Sequence, residues 1–353
     1  MLAMSKRTNT RPVRLGSLQL GGQNKVVIQS MASIKTSKVD EVSAQINRCA
    51  SLGCQAMRLS CLDMEDAKSF AKIKERTSIP LIADIHFDYR FALEAIKGGV
   101  DAVRINPGNI GDIERIKAVV DACRERHVPI RVGVNSGSLD KDISSGESKV
   151  LAAHLLESAK KHVAILESLD FHDIVISLKG SSPLETVEAY KQAAEAFPYP
   201  LHLGVTEAGP KDIGLIRSAA TLSPLLLLGI GDTMRISLSD EPEEEIKACH
   251  RLLHDLGLEA DYPTFISCPT CGRTAVNLIP LAKELQRYCE EKRICKTIAI
   301  MGCIVNGPGE ARHADLGAAG GNGVWVIFKK GKILREVKDG DILAEMKKEI
   351  DAL

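Results

Sequence analysis

The chain has 353 residues, 44% apolar and 26% charged, which fits one large globular domain or two and excludes a disordered or fibrous protein. Its 46 Lys and Arg balance 46 Asp and Glu, and aromatics are only 4%, so neither phosphate attraction in bulk nor base stacking is available and no nucleic-acid partner is expected. The longest apolar run, near 225–230, is far too short to span a membrane, and no basic-then-apolar leader opens the chain, so a cytoplasmic protein with no membrane partner is predicted.

Short runs rich in Val, Ile and Leu recur at 25–31, 55–60, 80–84, 101–106, 129–134, 172–177, 200–205 and 225–230. Each is followed by a helical pattern, near 38–52, 64–76, 88–98, 111–126, 146–168, 184–196, 210–221 and 241–256. Apolar strands alternating with helices predict a parallel sheet covered on both faces. Eight such units in about 250 residues match a closed barrel better than an open sheet. The first strand–helix turn also lacks G-x-G-x-x-G, which weakens a dinucleotide-binding open sheet.

The stretch 256–263 reads as a linker. Beyond it a strand from Thr264, a helix near 274–293, a strand at 297–301, strands at 324–328 and 332–337 and a helix at 340–351 are expected. Gly317 to Gly323 reads as a flexible loop. The predicted fold class is α/β: an N-terminal (β/α)8 TIM-type barrel over 1–258, then a small α+β domain over 259–353.

In such a barrel, function sits at the C-terminal ends of the strands, and side chains two apart share a face. That pairs Arg58 with Ser60, Asp84 with His86, Arg104 with Asn106, Arg131 with Asn135, and Ser177 with Lys179. Glu207 follows the seventh expected strand; Asp232, Arg235 and Ser237 follow the eighth. Any one of these charges alone reads as a solvated rim residue. Five cations (Arg58, Arg104, Arg131, Lys179, Arg235) at matching positions call for a partner, and a small diphosphate-like anion has the right charge and size.

Seven of the ten cysteines stand singly in apolar or helical surroundings and read as small core residues. The other three are patterned: Cys268-Pro-Thr-Cys271, and Cys303 within Gly302-Cys-Ile-Val-Asn-Gly-Pro-Gly-Glu310. Three thiols without a fourth suit a four-iron cluster with one open iron, for which Glu310 is a candidate exchangeable ligand. Structural zinc completed by His313, and a redox dithiol of Cys268 and Cys271, stay open as competing readings.

These cysteine segments resemble the 4-hydroxy-3-methylbut-2-enyl diphosphate synthase family, in its bacterial two-domain form. The resemblance extends through Val27-Ile-Gln-Ser-Met31, Arg104-Ile-Asn-Pro-Gly-Asn109, Arg131-Val-Gly-Val-Asn135, His202-Leu-Gly-Val-Thr-Glu-Ala-Gly209 and Gly229-Ile-Gly-Asp-Thr-Met-Arg-Ile-Ser-Leu-Ser239. It implies an iron–sulfur oxidoreductase of non-mevalonate isoprenoid biosynthesis that reductively opens 2-C-methyl-D-erythritol 2,4-cyclodiphosphate. It implies a [4Fe-4S] cluster on Cys268, Cys271 and Cys303 with Glu310 on the fourth iron, a flavodoxin or ferredoxin donor, and a homodimer whose sites are shared between subunits.

Carried over by motif, Arg58, Arg104, Arg131, Lys179 and Arg235 are diphosphate contacts, with Asn106, Asn135 and Ser237 adding hydrogen bonds. Glu207 is the acid that manages protons, and Asn306 positions the substrate. Asp84 and His86 orient substrate or the basic residues; a plain rim hydrogen-bond network is the competing reading. One departure stands out: family members follow Gln-Ser-Met with Thr-Asn-Thr, whereas Met31 is followed here by Ala-Ser-Ile-Lys-Thr36, so no residue is carried over from that loop. Met1 and Met4 are both candidate starts. The rivals from other classes are a barrel lyase or aldolase on a phosphorylated sugar with a structural zinc tail, and a non-enzymatic iron–sulfur carrier or sensor.

Overall fold

The structure is a computed structural model; it describes residues 7–135, 148–180, 182–303, 309 and 311–353. The chain divides into two compact units, Met1–Leu258 and Glu259–Leu353.

The first unit opens with a short antiparallel hairpin, β1 (Val13–Leu15) and β2 (Leu18–Leu20). Eight parallel strands follow: β3 (Val27–Met31), β4 (Ala56–Cys61), β5 (Leu81–Ile85), β6 (Ala102–Ile105), β7 (Ile130–Asn135), β8 (Ile174–Lys179), β9 (His202–Gly204) and β10 (Thr233–Arg235). They are ordered β8-β7-β6-β5-β4-β3-β10-β9, and a parallel bridge from Ile176 to Leu201 joins the two ends. This is a TIM-type barrel.

Helices α1 (Val39–Ser51), α2 (Met64–Lys74), α3 (Tyr89–Lys97), α4 (Pro107–Ile110), α5 (Ile113–Arg126), α6 (Ser148–Ser168), α7 (Pro183–Ala196), α8 (Lys211–Leu227) and α9 (Pro242–Asp255) alternate with the strands. Outward strand residues such as Leu59, Ala83, Val103, Val132 and Leu203 bury against helix residues such as Ile46, Phe70 and Val120. β5 and β8 are buried along their whole length, because one face meets helices and the other the barrel lumen.

The lumen is layered. At its floor Val27, Ala56, Ile82, Ala102 and Val175 meet Val13, Leu15 and Leu20 of the hairpin, a plug that sequence periodicity missed because three-residue strands show no alternation. One pleat higher the inward positions turn polar, and the candidate site begins there.

The expected strand at 225–230 is instead the last turn of α8 and the turn that follows it. Leu222, Leu225 and Leu226 are buried while Leu227 and Leu228 are exposed, a one-sided helical pattern that a continuous leucine run conceals. The eighth barrel strand is Thr233–Arg235, which puts Arg235 in the sheet and moves Asp232 to the opposite end. There the buried Asp232 accepts hydrogen bonds from Arg7 (3.1 Å), Thr10 (3.1 Å) and the Leu201 amide (2.9 Å). β8 likewise starts two residues later than the apolar run suggested, so Ser177 and Lys179 both lie within it.

The second unit is α+β. Its five strands run in the order β11 (Thr264–Ser267), β12 (Thr297–Met301), β13 (Leu316–Gly321), β14 (Val324–Lys329) and β15 (Lys332–Lys338), the first three parallel and the rest antiparallel. Helices α10 (Leu278–Glu291) and α11 (Ile342–Asp351) cover the sheet, burying Leu285, Met346 and Ile350 against Ile298, Ile300 and Trp325. The glycine-rich stretch expected as a loop is largely β13, the wholly buried central strand. Bare α-carbons are needed there: a β-carbon on Gly317 would lie 2.4 Å from the Phe328 ring, and one on Gly320 2.3 Å from Val276.

Candidate active site and thiol centre

A cavity of about 320 Å³ opens at the C-terminal end of the barrel, lined among others by Met31, Arg58, Asp84, His86, Arg104, Ser177, Lys179, Glu207, Arg235 and Ser237. Nine of these ten were expected from the sequence; Met31 was not. Its thioether sulfur lies 2.8 Å from Arg58 Nη2 and 3.6 Å from Arg235 Nη1, a soft acceptor between two guanidinium groups.

Asp84 is the anionic hub of the wall. It lies 3.4 Å from Arg58 Nε, 3.2 Å from Arg104 Nη1 and 3.8 Å from His86 Nε2. Burial alone would push its carboxyl up, but Arg58, Arg104 and Arg131 together hold it below the usual carboxylate range. Burial in turn draws Arg58 down to about 10.

The remaining cations divide sharply. Arg235 is neutralised in place by Glu245 of α9, with Nε and Nη2 donating at 2.9 and 2.8 Å. The same buried carboxylate accepts from Ser30 Oγ (2.7 Å) and the Leu238 amide (3.0 Å). Sequence reasoning missed Glu245, since a glutamate in the first turn of a helix reads as a solvated dipole partner. Lys179 is 8% exposed and, among the described residues, makes no ion pair or hydrogen bond. Burial, then the fields of Arg58, Arg235, Arg131 and Arg104, push its pKa well below the ordinary lysine value. Arg131 lies deeper, outside the cavity lining: Nη1 reaches Gln29 at 3.3 Å, while Nε and Nη2 are buried with no partner among the described residues.

Of the hydrogen-bonding residues, Ser177 lines the cavity, its hydroxyl 3.4 Å from the Val132 carbonyl. Asn106 does not line it; its side chain accepts from the Gly108 amide at 3.1 Å and caps α4. Asn135 ends β7 in register with Lys179, and its side chain lies outside the described residues. Glu207 stands on the turn after β9 with φ +54°, a left-handed conformation that costs a non-glycine residue on the order of 1 kcal/mol or more. The 32–36 loop is tied down from behind: Ser33 N–H donates to Gln45 (3.0 Å), Thr36 Oγ1 to the Ser60 carbonyl (2.5 Å).

In the second unit the cysteines follow the C-terminal ends of two adjacent parallel strands. Ser267 pairs with Ile300, so Cys268 and Cys303 leave the sheet at the same edge. The Gly302 amide donates to Cys268 Sγ at 3.2 Å. Cys271 is exposed, and hydrogen bonds from the Arg273 backbone and side chain hold its thiol below the usual value, favouring thiolate. Free thiols receiving N–H bonds suit iron and sulfide as a soft donor set, although among the described residues no three His, Cys, Asp or Glu side chains are already gathered about one metal position. Asn306 and Glu310 lie outside the described residues. His313 precedes β13 at the opposite end of the sheet from the thiols, which removes the ligand that a zinc reading needs.

Fold and site define a class: a two-unit barrel protein with a cationic lumen and a separate thiol-bearing α+β unit. Residues 10–250 match the GcpE TIM-barrel domain and residues 264–352 the GcpE protein C-terminal domain. The chain is 51% identical over 350 residues to the 4-hydroxy-3-methylbut-2-en-1-yl diphosphate synthase (flavodoxin) of Bacillus subtilis (strain 168), covering 99% of this chain and 93% of that protein. It is 52% identical over 347 residues to the synthase of the same name from Geobacillus thermodenitrificans (strain NG80-2), covering 98% and 93%. The chain belongs to the GcpE family of 4-hydroxy-3-methylbut-2-enyl diphosphate synthases. Among solved structures, dihydropteroate synthases from Stenotrophomonas maltophilia (TM-score 0.54, 12% identity, 71% of this chain and 99% of that one) and Yersinia pestis (0.52, 11%, 70% and 98%) share the barrel fold alone.

Proposed function

We propose that this protein reductively opens 2-C-methyl-D-erythritol 2,4-cyclodiphosphate to 4-hydroxy-3-methylbut-2-enyl diphosphate. Two electrons and two protons enter, the ring opens, and one hydroxyl leaves as water. The names of the half-identical relatives support the product. The observation that carries the substrate is the unanswered positive charge in the lumen: among the described residues, a buried Lys179 has no partner and two buried Arg131 donors have no acceptor. Removing such groups from water is costly unless an anion meets them, and a cyclic diphosphate brings two negative charges.

In this reading Lys179, Arg58 and Arg104 hold the diphosphate, Arg131 adds its charge from beneath the cavity floor, and Arg235 and Ser237 close it from β10 and the segment that follows. Asp84 and Glu245 keep the guanidinium groups aimed, so their reorganisation cost is met during folding rather than at binding. His86 stands at Asp84 on the rim. Glu207, on its strained turn, delivers or accepts the proton at the leaving hydroxyl. Cys268, Cys271 and Cys303, with Glu310, would hold a [4Fe-4S] cluster, which supplies single electrons and an exchangeable coordination position. The resemblance further supports a cytoplasmic homodimer fed by flavodoxin or ferredoxin, with 1–258 as the substrate domain and 259–353 as the cluster domain.

The deciding experiment is anaerobic purification with iron, sulfide and zinc analysis and a visible spectrum with and without the cyclic diphosphate. About four irons and four sulfides per chain, with a substrate-dependent spectral change that Glu310→Ala alters, is the expected result. One zinc per chain and no visible absorption would sink the reductase in favour of the zinc-tailed lyase.

A further inference from the structure

We propose that the outward face of α10 is the docking surface for a small acidic electron-carrier protein; this rests on the reductase reading above. Residues i, i+4 and i+8 share one face of a helix. On α10 these are Ile279, Lys283 and Arg287, all exposed, with Ile279 53% exposed. The helix begins at the thiols: Thr274 Oγ1 accepts from the Cys271 amide (3.1 Å), and a β-carbon on Gly302 would touch Thr274 and Leu278. An exposed apolar residue followed by Lys283 and Arg287, on the helix that leads away from the Cys268–Cys271 segment, has the anatomy of a transient redox interface, with an apolar centre and a charged rim that steers encounter.

The charge commits the partner. Lys283 is in no ion pair among the described residues, and Arg273 adds a third exposed cation beside Cys271. Of the acids of this helix, Glu284 is already shared between Arg287 and Lys347, Glu290 is buried, and the exposed Glu291 lies in the last turn, away from the thiols. A larger basic patch, Lys329, Lys330 and Lys332 with exposed Ile333, lies on the β14–β15 hairpin. Register excludes it: Phe328 pairs with Gly317, and Leu316 with Ile298, so the hairpin sits at the far end of the sheet. The strands separate it from the thiols by about 15 Å. Electron transfer falls steeply with distance, which favours the first turns of the α10 face, where Ile279 and Lys283 lie, with Arg287 at its outer rim.

The test uses the anaerobically purified, cluster-loaded protein with oxidised flavodoxin as titrant in calorimetry at low and high salt, beside turnover driven by dithionite. Lys283→Glu with Arg287→Glu should weaken flavodoxin binding at least tenfold and flatten its salt dependence, while dithionite-driven turnover and molecular mass stay at wild-type values. Ile279→Ser, which keeps every charge, should weaken binding without changing the salt slope. Unchanged affinity in both variants overturns the proposal. So does weakening by Lys330→Glu with Lys332→Glu instead, or a change of molecular mass, which would make the face a contact between copies of the chain. A wild-type protein that fails to turn over even with dithionite would sink the reductase reading itself, a result distinct from failed docking.

Discussion

Gly133 and Arg104 occupy the same space in the barrel: a β-carbon on Gly133 would lie 2.4 Å from Arg104 Nε and 2.8 Å from its Nη2. The guanidinium lies across a bare α-carbon on the next strand and so reaches Asp84 on the strand before. Gly133→Ala therefore has a directed consequence. The methyl displaces the Arg104 head and breaks its contact with Asp84, costing about 1–3 kcal/mol of stability. It should also weaken cyclic-diphosphate binding tenfold or more, read by calorimetry. Wild-type affinity in a folded Gly133→Ala protein would remove Arg104 from the binding set.

Lys179 sets function against stability. Replacing a buried ammonium that has no partner among the described residues with an apolar side chain of similar shape relieves a desolvation cost. Lys179→Met is expected to raise the ligand-free protein's melting temperature by several degrees while abolishing diphosphate binding. A variant that melts earlier would mean that the amine has a structural partner.

The same group makes binding proton-linked. The unfolded chain keeps the Lys179 proton up to its ordinary value of 10.5, whereas the folded chain loses it sooner. Between those two values the unfolded state binds more protons, so ligand-free stability rises with pH across that window. A bound dianion returns the proton. Calorimetry at a series of pH values below 10.5, in two buffers of different ionisation enthalpy, should show proton uptake on ligand binding within that window, and the linkage should vanish in any Lys179 variant that still binds.

Glu245 and Arg235 are predicted to act as a unit. Glu245→Ala strands a half-buried guanidinium and frees the Ser30 hydroxyl and Leu238 amide, a loss of about 2–4 kcal/mol. Adding Arg235→Met should restore much of that stability without restoring ligand affinity. Chemical denaturation of the four proteins gives the coupling; additive losses would show that the carboxylate does not position the arginine.

Thiol chemistry separates the cysteines in cluster-free protein. Cys271 is held toward thiolate by Arg273, whereas burial pushes Cys54 and Cys61 up to about 12. Iodoacetamide at neutral pH, followed by peptide mass spectrometry, should modify Cys271 long before either buried thiol. Reversal of that order would remove Arg273 as the group that activates the pair.

Much of this architecture can be read from short-range rules. Alternation along β5 and β6 is enough to place Asp84 and Arg104 inside the barrel, and the Cys-x-x-Cys spacing marks the thiol end of the second unit. The rules fail where a residue's role depends on a distant neighbour. The leucines at 225–228 look like a strand until one asks which side is buried. Gly317 and Gly320 look flexible until Phe328 and Val276 fill the space above them. Asn106 looks like a ligand alone, yet its oxygen also caps a short helix through the amide of Gly108.

By itself, then, the order of residues determined seven of the eight barrel strands with the helices between them, the polar strand ends and the positions of the three patterned thiols, because each follows from a period of two or 3.6 residues or from spacing along one turn. Only the tertiary structure decided which cations are already answered and which await an anion. Arg235 meets Glu245 ten residues away on a helix, Arg104 nests over a glycine of the next strand, and Lys179 meets no one among the described residues. Those outcomes depend on distances between strands that the chain brings together only when the barrel closes.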